Sequence, residues 1–213
     1  MCKAFIFDLD GVITDTAELH FQAWDRLCQE QGWYFDREIN EQLRGVSRQD
    51  SLKIILNARE VDEETFERSL KQKNDYYLEL LGGITNKDIL PGIETLLLEL
   101  NAKGIKVALA SASKNARSIL HKLGLTALFD AIGDGWSVNR SKPAPDVFIH
   151  AAGQVGVNVN ECVVVEDAEA GVEAARSAGM KVIGIGPQER VGQADWVVPS
   201  TELVTLSLIN TTP

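Results

Sequence analysis

Cysteine is scarce: only Cys2, Cys28 and Cys162 occur in 213 residues, an odd number, far apart and without a paired motif. That spacing excludes a disulfide scaffold and a thiolate zinc site, and it suits a reducing compartment. No apolar run reaches bilayer-spanning length, and residues 1–20 carry too many acids for a secretory leader. Basic runs are missing too. Against 21 Lys and Arg stand 31 Asp and Glu, a formal net charge of −10, which argues against nucleic acid or an anionic membrane as partner. A small anionic substrate stays open, because a few local cations and backbone N–H groups suffice to bind one. Internal repeats and low-complexity stretches are also lacking. The expectation is a cytoplasmic protein, monomeric by default, acting on a small molecule.

What is present is an ordinary globular composition, 45% apolar and 24% charged, long enough for one large domain or a domain with an insert. Short apolar runs at 4–8 (AFIFD), 105–111 (IKVALAS), 162–167 (CVVVED) and 181–186 (KVIGIG) read as strands buried on both faces, with 194–198 (ADWVV) as an edge. Helical patterns alternate with them, several stopped by glycine, at Gly104, Gly124 and Gly179. Strand alternating with helix predicts an α/β fold with a doubly wound, Rossmann-like parallel sheet. Residues 16–80 break that rhythm with helical patterns alone. The expected division is therefore 1–15 core, 16–86 an inserted α-helical domain, and 87–213 the rest of the core, with linkers near 14–16 and 82–90.

In such a sheet, ligands bind beyond the carboxyl ends of the strands. Asp8 ends the first run, Ser111 the second, and Glu166 with Asp167 the third. Carboxylates gathered there repel one another unless a cation sits among them, and an all-oxygen donor set is what Mg²⁺ prefers. Asp8 is placed to attack phosphorus and form an aspartyl-phosphate, while Asp10, on the same side by period 2, is placed to move a proton. Asp15 reads as a hinge or helix-start residue. Ser111 and its neighbours lead into a helix whose free N–H groups favour an anion, although serine is equally an ordinary N-cap. Lys142 precedes two prolines on a stiff loop, where a plain surface lysine is the competing reading.

Together, DLDGVITDT, ASASKN, SKPAPD and VVEDAEAG resemble, in order and spacing, the motifs of the haloacid dehalogenase superfamily of phosphotransferases. The resemblance implies Asp8 as nucleophile, Asp10 as acid and base, and Ser111 with Lys142 on the transferring phosphoryl group. It also implies Mg²⁺, one per chain, held by Asp8, the backbone carbonyl of Asp10, Glu166 and Asp167. The helical insert becomes a cap that closes over the site.

Within that superfamily, TDTAELHFQAW and QLRGVSRQDSL resemble the β-phosphoglucomutases, which interconvert β-D-glucose 1-phosphate and glucose 6-phosphate through β-glucose 1,6-bisphosphate. By that likeness Thr16, His20 and Trp24 line the cap side, with His20 coupling Asp10 to cap closure. Gly45, Val46, Ser47 and Arg48 form a substrate-specificity loop with Ser51 and Lys73 nearby, and Ala112, Ser113, Lys114 and Asn115 meet the sugar phosphate from the core. On the residues alone, Trp24 reads as packing, His20 as a histidine bonded within its own helical turn, and Arg48 as a solvated arginine. The chain carries Arg44 and Glu169 where lysine and glutamine are common, differences expected to leave the chemistry untouched. Two other readings stand beside the mutase: a sugar-phosphate phosphatase using the same core motifs, and a non-catalytic sugar-phosphate sensor.

Overall fold

The computed structural model describes residues 2–210. Six parallel strands form one sheet in the order β3-β2-β1-β4-β5-β6: β1 (Ala4–Phe7), β2 (Lys106–Ala110), β3 (Ala131–Gly133), β4 (Cys162–Glu166), β5 (Lys181–Ile185) and β6 (Trp196–Val198). This is the doubly wound order, and its reversal point lies at β1, which pairs with β2 on one side and β4 on the other. Phe7, the last residue of β1, stands opposite Leu109 and Val165, one residue before the ends of β2 and β4.

Period-2 alternation sorts the strand side chains into two cores. Phe5, Phe7, Val107, Leu109, Val163 and Val165 face one layer, packed by α5 (Ile93–Ala102) and α6 (Ala116–Leu123). Ala4, Ile6, Ala108, Ala110, Cys162 and Val164 face the other, packed by α7 (Asp146–Gln154) and α8 (Glu169–Ser177). A short helix, α9 (Gln188–Val191), follows β5.

Between β1 and α5 the chain is helical: α1 (Ala17–Gln31), α2 (Arg37–Glu41), α3 (Arg48–Leu56) and α4 (Glu63–Leu80). Asp36, Ser47 and Asp62 cap α2, α3 and α4 by accepting the backbone N–H of Ile39, Asp50 and Thr65. Gly32, at φ +66°, stops α1. These helices bury a cluster of their own, with Trp24, Leu27, Cys28, Leu52, Ile55 and Leu70 at its centre. Ala23, Tyr77 and Leu81 turn instead toward the sheet and join the first core.

Four elements carry no mark in the sequence. β3 is an edge strand of three residues, and α2 and α9 have five and four, too short to display a period. α7 starts directly after the two prolines that read as loop. Among the described residues no helix is long and apolar enough to cross a membrane.

Candidate active site

The ends of β1 and β4 bring three carboxylates together, and a loop lysine joins them. Asp8 is still on the ladder, its N–H donating to Val165 O at 3.0 Å, and the chain then folds back as Ile13 N–H donates to Leu9 O at 2.8 Å. Asp8, Glu166 and Asp167 are buried, and each can offer an oxygen within 4.8 Å of the others. Lys142 Nζ, from the loop before α7, donates to Asp8 Oδ1 at 2.5 Å and to Glu166 Oε1 at 2.6 Å. Its side chain is fully buried, not a surface lysine. Burial disfavours that ammonium, yet Asp8 and Glu166 beside it hold its pKa above the ordinary lysine value. Burial pushes Asp8 well above the usual carboxylate range, with Lys142 pulling it back and Glu166 adding to the rise. Burial and then Glu166 push Asp167 up to about 7.

The surroundings fit a hard divalent cation. The donor set is all oxygen, three carboxylates against the two cations Lys142 and Arg44. Two close approaches shape it. A Cβ on Gly11 would stand 2.2 Å from Asp167 Oδ2, and one on Gly171 would stand 1.8 Å from Glu166 Oε1. Only glycine at both positions leaves room for the carboxylates where they are.

Asp10 sits one side chain further out, partly exposed to the cleft, and its Oδ1 accepts the Thr16 hydroxyl. Burial raises its pKa, against that hydrogen bond. Across from it, His20 Nδ1 lies 2.6 Å from Lys73 Nζ, and the imidazole stacks on Tyr77 with centroids 4.0 Å apart. Burial and then the Lys73 charge hold His20 well below its ordinary pKa. Both effects favour the neutral ring. Burial and then Arg48 depress Lys73 likewise.

One cleft joins these groups. Asp8, Asp10, Ser111, Ala112, Ser113, Lys114, Asn115 and Asp167 line it from the sheet side. His20, Trp24, Gly45, Val46, Arg48, Ser51 and Lys73 line it from the helical side. Lys142 and Glu166 stand behind Asp8, away from this wall. Ser111 Oγ accepts Ser113 N–H at 3.0 Å, and Ser113 Oγ accepts Asn115 N–H at 3.2 Å, so the loop is locked before α6 begins. Arg48 is partly buried and has no carboxylate partner among the described residues. Trp24 serves both the helical cluster and the cleft wall.

Thr16 and Ser47 do not reach the cleft. Thr16 is fully buried beneath Asp10, and Ser47 caps α3 while its hydroxyl donates to Asp50 Oδ2 at 2.6 Å. Asp15 Oδ1 accepts Ala17 N–H at the start of α1, a helix-start role. Arg44 reaches the acidic cluster: its Nη1 lies 3.2 Å from Asp167 Oδ2. Tyr77 and Asn74 escaped sequence reasoning. Tyr77 lines the cleft with a buried, unpartnered hydroxyl, and Asn74 Oδ1 accepts Asn115 Nδ2 at 2.9 Å. The available signal was helical spacing, since Tyr77 lies one turn beyond Lys73 on the same face.

Known proteins resemble this chain along nearly its whole length. A β-phosphoglucomutase from Bacillus subtilis (strain 168) is 43% identical over 98% of this chain and 94% of its own length. The crystal structure of a β-phosphoglucomutase from Clostridium difficile superposes with a TM-score of 0.95, at 43% identity, covering 99% of this chain and 96% of that one. A phosphorylated carbohydrates phosphatase from Thermotoga maritima is 32% identical over 85% of this chain and 83% of its own length. The haloacid dehalogenase-like hydrolase family matches residues 2–179, and the chain belongs to it.

Proposed function

We propose that this chain is a β-phosphoglucomutase, a phosphoryl-transferring isomerase that interconverts β-D-glucose 1-phosphate and glucose 6-phosphate. One observation carries the reading. A single cleft has Asp8 and Asp10 on its sheet wall and the uncompensated Arg48 on its helical wall, which suits a ligand with a phosphate position at each end.

Asp8, Glu166 and Asp167, with the carbonyl of Asp10, would hold Mg²⁺, which when bound screens carboxylate–phosphate repulsion and draws charge from the transferring oxygens. Asp8 carries the phosphoryl group as an aspartyl-phosphate. Asp10, its pKa raised and its Oδ1 held by Thr16, accepts the proton of the C6 hydroxyl as phosphate passes to it. Release and reversal of β-glucose 1,6-bisphosphate bring the C1 phosphate to Asp8. Asp8 takes that group and Asp10 returns the proton to the departing oxygen. Ser111 and Lys142 steady the transferring group, while Arg48 grips the other phosphate in bidentate fashion. Ser113, Lys114 and Asn115 add donors on the core side. Neutral His20, on the helical wall of the same cleft as Asp10, couples it to closure of the cap, residues 16–86. Closure excludes the water that would otherwise cleave the aspartyl-phosphate. The sugar phosphate is the partner in this reading. A monomeric, cytoplasmic enzyme without nucleic-acid or membrane partners fits the −10 charge and the absence of basic runs.

The test is incubation with β-glucose 1-phosphate, Mg²⁺ and trace bisphosphate. Glucose 6-phosphate forming in excess over inorganic phosphate is expected. Stoichiometric phosphate release would make the chain a phosphatase. No phosphorylated chain with any phosphoryl donor would leave a sugar-phosphate sensor.

A further inference from the structure

Apart from the groups given chemical roles above, one chain of ion pairs ties the helical segment to the sheet domain. It begins on α9, where Arg190 Nη1 lies 3.0 Å from Glu41 Oε1 at the end of α2. Both oxygens of Glu41 also accept Arg44 Nε, each at 2.8 Å. Arg44 Nη1 in turn reaches Asp167 Oδ2 at 3.2 Å. Glu41 pairs with both arginines, which links the position of α9 to that of Arg44.

Arg190 itself is expensive to keep where it is. Its Nε is buried with no hydrogen-bond partner among the described residues, which costs desolvation without compensation. Its Nη2 packs on Gly186, where a Cβ would stand 2.4 Å away. Glu41 is its one ion-pair partner there. The sheet domain gains little from this side chain, whereas the helical segment gains an anchor.

We propose that Arg190 is a positioning residue, a latch that grips α2 through Glu41, seats Arg44 on Asp167 and holds the cleft shut while Asp8 carries phosphate. This deepens the mutase reading and rests on it, since a latch matters only where a phosphorylated aspartate must be kept from water. With the latch broken, water attacks phosphorus and the bond from phosphorus to the Asp8 oxygen breaks. Inorganic phosphate leaves with one of the water's protons, the other passes to Asp10, and Asp8 returns to carboxylate. Each such event is a mutase cycle lost.

The pair is partly exposed, with side chains 24% and 49% accessible, so salt screens it. The experiment compares the wild type with Arg190→Ala, Arg190→Lys, Glu41→Gln and the double variant Glu41→Gln/Arg190→Ala. In each, the ratio of inorganic phosphate released to glucose 6-phosphate formed is followed, together with KM, Mg²⁺ affinity and thermal midpoint. Arg190→Ala is expected to raise the ratio and KM by about fivefold, the scale of a weak coupling between sites, with kcat unchanged. Arg190→Lys should recover most of that loss. In the Glu41→Gln background, Arg190→Ala should add nothing. Raising salt should increase leakage in the wild type but not in Arg190→Ala. An unchanged ratio, or equal effects of Arg190→Ala with and without Glu41, overturns the latch.

Hydrogen exchange of the amides of residues 41–48, in Mg²⁺ and inorganic phosphate, reads closure without turnover. Faster exchange in Arg190→Ala beside a wild type lacking mutase activity would keep the latch and reject the mutase. Unaltered exchange in an active mutase would do the reverse. Should Arg190→Ala not fold, Glu41→Gln and Arg190→Lys carry the same comparisons.

Discussion

His20 shows how much a single side chain's surroundings decide. A solvated histidine changes charge near neutral pH, but this one is buried against Lys73 and Tyr77 and held neutral. A base whose folded pKa is depressed leaves the unfolded chain binding more protons, so its contribution to stability is present above about pH 6.5 and lost as pH falls below that value. Replacement by alanine is expected to lower turnover far more than it weakens Mg²⁺ binding, read by steady-state kinetics beside calorimetry. An unchanged rate would remove His20 from the mechanism. Asp167 has the opposite sign. Its folded pKa of about 7 lies above the unfolded value, so in the metal-free chain its contribution to stability is lost as pH rises through about 7. A cation requires the ionised form. Mg²⁺ affinity should therefore fall as pH drops below about 7 and level off above it, measured by calorimetric titration across pH 5.5 to 8.5, values chosen to span roughly that range.

Among the elements, the helical segment stands out because it has a core of its own. Leu27 on α1 is fully buried in the cluster with Trp24, Leu52 and Leu70. Truncation to alanine leaves a cavity, and a loss of about 2–5 kcal/mol is expected in denaturant unfolding. Because that cluster is separate from the two cores flanking the sheet, the loss should appear as earlier exchange of amides in α1, α3 and α4, with β1, β2 and β4 protected. Uniform loss of protection would show that the layers unfold together. The strand ends behave differently: Phe7 pairs with Val165, and that register is what puts Asp8 beside Glu166.

For the whole molecule, the consequence of clustering Asp8, Glu166 and Asp167, with Lys142 on the first two and Arg44 on the third, is a fold with stored repulsion among its acids. Mg²⁺ binds only the folded arrangement, so mass action stabilises it, by about 2.7 kcal/mol at a hundred times Kd. The thermal midpoint should rise with Mg²⁺ and fall back with chelator, by more at pH 8 than at pH 6, because Asp167 is then already ionised. An unchanged midpoint at saturating Mg²⁺ would remove the metal site.

Much of this architecture was legible along the chain. Five of the strands declare themselves as apolar runs, since a strand covered on both faces cannot hide its composition. Gly32, Gly104, Gly124 and Gly179 punctuate the helices, and the acids at residues 8, 10, 166 and 167 sit where apolar runs end. These are local signals, each written within a few residues. Short edge elements such as β3 and α9 lack room for a period. The tertiary structure alone decided which distant groups meet: Lys142 beneath Asp8, Lys73 against His20, and Arg44 drawn onto Asp167 with Arg190 behind it. Those pairings join residues as much as 149 positions apart, and only the packing of helices against the sheet brings such charges within hydrogen-bonding reach.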